Sequence, residues 1–196
     1  MNIKSKIAFG ITFLIAINAC KNEDPFPKPK SYLRIDFPEH EYKKFDDFCN
    51  FSFEVSTLAK VINKPNAPKE QCFKNIIYPK YKATMYCTYV DLSPNPDSLL
   101  LMYTEYSRKL AYEHTIKASG IKETEYYNKD KKVYGTSFEI KGDVACNYLY
   151  YLTDSTNNYF ASSLYFETPP NYDSLQPVLE YIIKDIEHQI NTFEWK

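Results

Sequence analysis

The sequence predicts an α+β fold, in which two main helices pack on an antiparallel β-sheet of about six to seven strands. Three observations support this class: strand patterns come first, a helical segment interrupts them, and a run of strands joined by short turns precedes a second helix. Of the 196 residues, 44% are hydrophobic, which is too apolar for a disordered chain and enough for one domain with a sizeable core.

Composition also excludes several functional classes. The formal net charge is −1, whereas nucleic-acid-binding domains usually carry a strong basic excess, so we expect no nucleic-acid partner. The chain has 4 glycines, too few to favour a glycine-rich phosphate-binding loop. It has 19 tyrosines, and tyrosine is a common residue of protein interfaces.

Three strands are predicted before the first helix. Residues 51–55 alternate apolar and polar side chains, as a half-buried strand does. Two further strands, at 73–78 and 83–90, are joined at Pro79-Lys80. The lysine- and proline-rich stretch at 60–69 is expected to be a loop.

The first helix is predicted to follow the proline-rich break at 93–97. Asp97 or Ser98 is a suitable N-cap, and Gly120 is expected at the C′ position. The residues that recur at helical spacing are Leu99, Tyr103, Leu110 and His114, with Met102 and Tyr106 beside them.

A strand meander is predicted next, with strands at 122–127, 133–140, 144–153 and 159–167. The turns at 141–143 and 154–157 are short, which favours antiparallel neighbours. One face of these strands is core. The other carries tyrosines and is amphipathic, and partial cover by a helix would account for it.

The C-terminal helix has the clearest pattern in the chain. Asp173 or Ser174 is expected to cap it, and Pro177 falls in the first turn, where its missing N–H costs little. Its apolar stripe consists of Leu175, Val178, Leu179, Ile182, Ile183, Ile186, Ile190 and Phe193. With both helices in place, we expect a sheet sandwiched between helices, as in Mog1/PsbP-like domains, with a simple two-layer packing as the alternative.

The N-terminus is typical of an exported protein. A basic start, an apolar run at 7–17 and Ala19 before Cys20 indicate a secretory signal peptide. The apolar run is too short for a bilayer-spanning helix, which needs about 20 residues. The cysteine makes the signal resemble the lipoprotein type, in which residues 1–19 are removed and Cys20 carries acyl chains. The alternative is an ordinary secretion signal with a chance cysteine.

The mature chain would begin with a lipidated tether at 20–31, followed by a single α+β domain at 32–196. Alternating prolines in the tether favour an extended backbone. Removal of Lys4 and Lys6 with the signal leaves 22 basic and 25 acidic residues, a net charge of −3. The membrane is therefore expected as a partner, through the lipid.

Four cysteines remain for the domain. Cys49 and Cys72 flank the predicted loop at 60–69, and we expect a disulfide between them, which is permitted in an exported chain. Cys87 and Cys146 lie in predicted strands, where either a second bridge or buried free thiols are possible. No cysteine–histidine spacing resembles a zinc site, so we expect no metal and no cofactor.

No pattern of catalytic residues stands out, so we expect a protein that is not an enzyme. A nucleophile elbow is absent from the sequence. Ser155 lies in a polar turn, and His114 and His188 are expected to be ordinary helix residues. The candidate partner-binding residues are Tyr148, Tyr150, Tyr159 and Tyr165, for which ordinary amphipathic sheet positions are the alternative.

Several short motifs, in order along the chain, resemble the gliding motility lipoprotein family GldD. They are Pro27-Lys28-Pro29 with residues 32–38, residues 51–54, Ile77-Tyr78-Pro79, Tyr112-Glu113-His114, residues 151–156, Leu164-Tyr165-Phe166 and residues 193–196. The cysteines at 49 and 72 fit the family pattern, whereas Cys87 and Cys146 do not.

This resemblance implies a lipid-anchored envelope protein needed for gliding motility and for the linked type IX protein secretion. It implies a non-enzymatic factor that assembles or stabilises other gliding and type IX secretion proteins. The anchor would lie in the cell membrane or outer membrane of a Gram-negative envelope, with the domain in the periplasm or at the cell surface. The alternative is a surface glycan- or peptide-binding lipoprotein that uses a tyrosine-rich sheet face.

Overall fold

A computed structural model describes residues 35–68 and 71–196 of the chain. The predicted signal peptide at 1–19, the tether at 20–31 and Cys20 lie outside the described residues. Residues 35–196 form one compact unit.

A seven-stranded sheet forms the centre of this unit. Its strands are β3 (Lys60–Asn63), β4 (Lys74–Tyr78), β5 (Ala83–Asp91), β6 (Ala118–Asn128), β7 (Val133–Gly142), β8 (Cys146–Thr153) and β9 (Asn158–Phe166). Their order across the sheet is β3-β4-β5-β9-β8-β7-β6, and every neighbouring pair is antiparallel. The C-terminal meander is therefore as predicted, and the sheet has seven strands, although the predicted set contains residues 51–55 in place of β3. The prediction of a loop throughout 60–69 is wrong, because Val61 and Ile62 pair with β4.

A second sheet has three antiparallel strands in the order β1-β2-β10. They are β1 (Tyr42–Asp46), β2 (Phe51–Ser56) and β10 (Glu194–Trp195). The sequence predicts β2 but neither of its neighbours. Trp195 pairs with Phe51, so the C-terminus closes against the first predicted strand.

Helix α1 (Pro96–Tyr112) is shorter than predicted and is followed by a 3-10 turn at Glu113–Ile116. Its N-cap is Asn95, with proline in the first turn, and neither Asp97 nor Ser98 has that position. Gly120 does not end the helix, because it lies in β6 and pairs with Lys141. Residues from Ala118 onward pair with β7 and are therefore part of a strand, not of the helix.

Helix α2 (Tyr172–Thr192) matches the predicted C-terminal helix. Its N-cap is Asn171, whose side chain accepts a hydrogen bond from the backbone N–H of Ser174 at 3.2 Å. The cap therefore lies two residues before Asp173, at the residue whose side chain can reach the first turn.

The two helices lie on opposite faces of the seven-stranded sheet. The face that packs on α2 and β2 holds the larger core, which includes Phe53, Phe160, Leu164, Leu179 and Ile182. The face that packs on α1 holds a smaller core of Ala111, Phe138, Ile140, Val144, Cys146 and Leu149. This is the sandwich that the sequence predicts, and the fold class is α+β.

A disulfide joins Cys49 and Cys72, and so connects the approach to β2 with the approach to β4. Cys87 and Cys146 are buried free thiols. Because Cys87 lies on the face that packs on α2 and Cys146 on the face that packs on α1, the sheet separates them.

Candidate partner-binding site

A groove of about 520 Å³ lies between α1 and the strands β5 and β9. We call it the tyrosine groove. Its lining includes five tyrosines: Tyr86, Tyr103, Tyr106, Tyr159 and Tyr165. Small side chains between them, at Thr88, Ala161 and Ser163, leave the sheet uncovered at this place.

Tyr159 fastens α1 to the sheet at the inner side of the tyrosine groove. Its hydroxyl donates to the backbone carbonyl of Tyr103 at 3.0 Å and lies 2.7 Å from the hydroxyl of Ser107. Its ring stacks on that of Tyr103, with centroids 5.4 Å apart. Tyr159 is buried, and burial raises the pKa of its hydroxyl. This tyrosine therefore positions the helix and is not free to contact a partner.

Tyr86 and Tyr106 form the exposed part of the tyrosine groove, with 48% and 62% of their surfaces accessible. Tyr86 packs edge-to-face on Tyr165, with ring centroids 5.6 Å apart. Burial raises the pKa of Tyr165 to about 12, so its hydroxyl stays neutral at physiological pH. Lys64 is the one charged residue among the described residues that line this groove. The surface is thus mainly aromatic, with one lysine at it.

The outer side of α1 extends this aromatic surface. Met102 is 51% exposed and lies one helical turn before Tyr106. Within α1 only Ser107 and Ala111 are buried, because the helix contacts the sheet along one narrow line. A helix with apolar side chains directed away from its own sheet is typical of a surface that another molecule covers.

The structure separates the four tyrosines that the sequence singles out. Tyr148 and Tyr150 are 3% and 1% exposed and lie in the core on the α2 side, so they cannot contact a partner. Tyr159 and Tyr165 line the tyrosine groove on the α1 side. These four residues therefore do not form one outward tyrosine face, because two of them lie on each side of the sheet.

The other tyrosines of the groove, which are the exposed Tyr86 and Tyr106 and the half-buried Tyr103, lie outside that set. Tyr103 and Tyr106 lie three residues apart on α1, and Tyr86 lies on β5. The sequence contains two signals that could have found them. One is the helical spacing of Tyr103 and Tyr106, and the other is the alternation of Tyr86 with the buried Met85 and Cys87.

A second cluster of polar side chains connects residues 37–42 to α2 through hydrogen bonds and ring stacking. Nδ1 of His40 lies 2.6 Å from Oδ1 of the buried Asp185. Tyr42 stacks on His188 at 3.6 Å between ring centroids, and His188 Nε2 lies 2.6 Å from Oε2 of Glu54. Burial and the charge of Asp185 raise the pKa of Tyr42 to about 12. His188 thus joins α2 to β2 through its contact with Glu54, which the sequence does not predict.

Neither this cluster nor the remaining histidine forms an arrangement of base and nucleophile. His114 lines a small cavity of about 290 Å³ in which the described lining has no serine, threonine or cysteine. Ser155 lies in a turn, where Asp154 accepts hydrogen bonds from the backbone N–H groups of Thr156 and Asn157. Within residues 35–68 and 71–196, no group of three or more potential ligands could hold a metal ion. No helix in this part of the chain has the length and apolar character to cross a bilayer.

Comparisons with known proteins place the chain in a family. Among solved structures, it is similar to the solution structure of cyanobacterial PsbP (CyanoP) from Synechocystis sp. PCC 6803, with a TM-score of 0.48 and 8% identity. The match covers 81% of this chain and 95% of that chain. No curated protein sequence matches the chain. A family model described as "Gliding motility lipoprotein GldD" matches residues 22–195. The chain belongs to the GldD family of gliding motility lipoproteins.

Proposed function

We propose that this chain is a non-enzymatic, membrane-tethered factor that assembles or stabilises partner proteins of the gliding machinery and of linked type IX secretion. Family membership supports the role in gliding. The tyrosine groove supports binding in place of catalysis, because it offers aromatic area and its described lining contains no histidine, carboxylate or cysteine.

The single observation that carries this proposal is the exposure of Tyr86 and Tyr106, with Met102 beside Tyr106. Large aromatic and aliphatic side chains are costly to leave in water, and burying one contributes about 1.5–3 kcal/mol. Tyrosines at such positions are often the residues that dominate binding energy. The occupant that fits is an apolar segment of an envelope protein, whose side chains would enter between α1 and β9.

A paired substitution tests the tyrosine groove. Cells that carry Tyr86→Ser with Tyr106→Ser should lose surface spreading and type IX secretion, while the protein keeps its melting temperature and membrane abundance. Both side chains are largely exposed, so the fold should tolerate the change. Ile116→Ser, at a residue that is 94% exposed and outside this groove, is the matched control.

Two results would contradict different parts of the proposal. Normal spreading and secretion in the paired variant would exclude the groove as the docking surface. Normal spreading and secretion after deletion of the gene would exclude the whole function.

The tether is a separate part of the proposal. We expect Cys20→Ala to release the protein from membranes and to leave the melting temperature of the domain unchanged. Each acyl CH₂ buried in the bilayer contributes about 0.8 kcal/mol, so several chains hold the protein firmly. Unchanged membrane retention of Cys20→Ala would refute lipidation at this residue.

The alternative function is a surface lipoprotein that binds glycans, with the rings of Tyr86 and Tyr106 as a stacking platform. Sugar hydroxyls also need several polar partners at fixed positions, such as carboxylates and amides. The described lining of the tyrosine groove contains neither, which favours a protein partner. Tight, specific binding on a glycan array, together with intact motility after deletion, would favour the alternative.

A further inference from the structure

A second groove lies on the other side of α1, between the helix and the strands β6, β7 and β8. Its volume is about 620 Å³. We call it the acidic groove, because four carboxylates line it and Arg108 is the one cationic side chain among its described lining residues. The carboxylates belong to Asp97, Glu105, Glu123 and Glu125.

These carboxylates are only partly neutralised within the described part of the chain. Glu123 accepts a hydrogen bond from the hydroxyl of Tyr112 at 2.5 Å. The guanidinium of Arg108 lies 5.8 Å from the centroid of the Tyr112 ring. Glu105 and Glu125 form no ion pair with another described residue. The acidic groove therefore favours a positively charged occupant.

Aromatic rings are the second feature of the acidic groove. Tyr127 is 77% exposed, and its ring lies 5.0 Å from that of Tyr134 on the neighbouring strand. Both tyrosines line the groove together with Glu125. The faces of such rings attract ammonium and guanidinium groups, so they favour the same kind of occupant as the carboxylates.

The third feature is the position of β6 at the edge of the seven-stranded sheet. Among the described strands, β6 pairs with β7 alone, and it is 11 residues long, against 4 for β3 at the opposite edge. Its pairing with β7 is regular from Gly120 to Asn128. An unpaired edge offers backbone N–H and C=O groups to an added strand. An added strand would continue a long and regular ladder.

The edge and the acidic groove adjoin each other. Side chains alternate along a strand, and Glu123, Glu125 and Tyr127 of β6 all lie on the face that lines the groove. A strand added beside β6 would place its own alternate side chains on that same face, about 5 Å from these three. Basic residues at alternate positions would then lie opposite carboxylates and a tyrosine ring.

We propose that β6 and the acidic groove bind an extended, lysine- or arginine-bearing segment of a partner protein as an added antiparallel or parallel strand. This site differs from the tyrosine groove, and the inference does not rest on the proposed function. The backbone ladder supplies affinity for an extended segment, and the carboxylates select a basic one.

Three short synthetic peptides test the inference with the full chain in detergent. One alternates lysine with threonine, the second alternates glutamate with threonine, and the third is the lysine peptide with prolines in place of the threonines. We expect the lysine peptide to bind at least tenfold more tightly than the glutamate peptide. We expect the proline peptide to bind much more weakly, because it lacks half of the backbone N–H groups that a ladder could use and proline is disfavoured in a paired strand. Fluorescence anisotropy measures each affinity.

Variants and hydrogen exchange locate the site. Glu105→Gln with Glu125→Gln should weaken binding of the lysine peptide roughly tenfold, as expected for the loss of two close charge pairs. Asp130→Asn, in the exposed turn between β6 and β7, is the matched control and should bind normally. Binding should slow amide exchange in β6.

Several outcomes would overturn the inference. They are equal binding of the lysine and glutamate peptides, unchanged affinity in the Glu105→Gln and Glu125→Gln variant, and unchanged exchange in β6. Saturable binding of a soluble oligosaccharide that this variant abolishes would assign the groove to sugars. The Tyr86→Ser and Tyr106→Ser variant should bind the lysine peptide normally, which distinguishes failure at one groove from failure at the other.

Discussion

Replacement of Asp47 by asparagine would leave the buried ammonium of Lys74 without its carboxylate partner. Nζ of Lys74 lies 2.5 Å from Oδ2 of Asp47 and donates to Oδ1 of Asn63 at 2.7 Å. The Lys74 side chain is 4% exposed, and the ring of Phe48 lies 4.9 Å from its ammonium. Removal of one partner from a buried ion pair typically costs about 3–5 kcal/mol, because the other charge remains buried.

The expected cost is lower than that range. The Asp47 side chain is 26% exposed, so water partly solvates the pair, and Asn63 and the aromatic rings still contact Lys74 after the change. We therefore expect a loss of about 2–3 kcal/mol. For a chain of this size, that corresponds to a fall in melting temperature of about 5–10 °C. Asparagine keeps an oxygen that can accept from the backbone N–H of Cys49, so the test isolates the charge.

Thermal unfolding of the oxidised protein, followed by circular dichroism, measures this effect. Asp46→Asn is the matched control, because Asp46 is exposed and pairs with Lys44 and Lys196 at the surface. The melting temperature of this variant should differ little from that of the unchanged protein. The double variant Lys74→Met with Asp47→Asn should recover much of the stability, since an apolar side chain suits the buried site. Equal losses in Asp47→Asn and Asp46→Asn, or no recovery in the double variant, would refute the reasoning.

Two further predictions concern protons and thiols. Burial, followed by the charge of Asp185, raises the pKa of Tyr42 to about 12 and that of Tyr78 further, against 10.0 for an ordinary tyrosine. The unfolded chain therefore loses these protons first as pH rises, so stability should fall between about pH 10 and 12, and the tyrosinate absorbance of these two residues should appear together with loss of structure. Burial raises the pKa of Cys87 and Cys146 to about 12. A thiol reagent at neutral pH should therefore label both residues only after the protein unfolds. Rapid labelling of the folded protein would contradict their burial.

Elements with a strong local pattern were predictable from the sequence. The C-terminal helix and the meander have periodic apolar residues and short turns, and both agree with the structure. Elements that depend on distant partners were not. β10 has two residues and exists because Trp195 pairs with Phe51, and β1 is a polar segment that pairs with β2. Helix α1 ends early because residues after Ile116 pair with β7.

The candidate site was predictable only in part, for a similar reason. Alternation places Tyr148 and Tyr150 on one face of β8, but only the pairing of β8 with β9 decides which face that is. Tyr148 pairs with Leu164 and Tyr150 with Ser162, residues that alternate with Tyr165 and Tyr159 on β9. The two pairs of tyrosines therefore point in opposite directions. The irregularity between Cys146 and Tyr148, which shifts the register, has no signal in the sequence.

The width of the sheet explains why both grooves lie on the α1 face. Seven strands at a spacing of about 4.8 Å span about 29 Å, whereas one helix with its side chains is about 10 Å wide. On the opposite face, α2 is joined by β2, and the two together bury that side. α1 has no such companion among the described elements, so about 10 Å of sheet stays uncovered on each of its sides. Both grooves arise where no described element covers the sheet, and this is the arrangement expected of a protein whose α1 face binds other molecules.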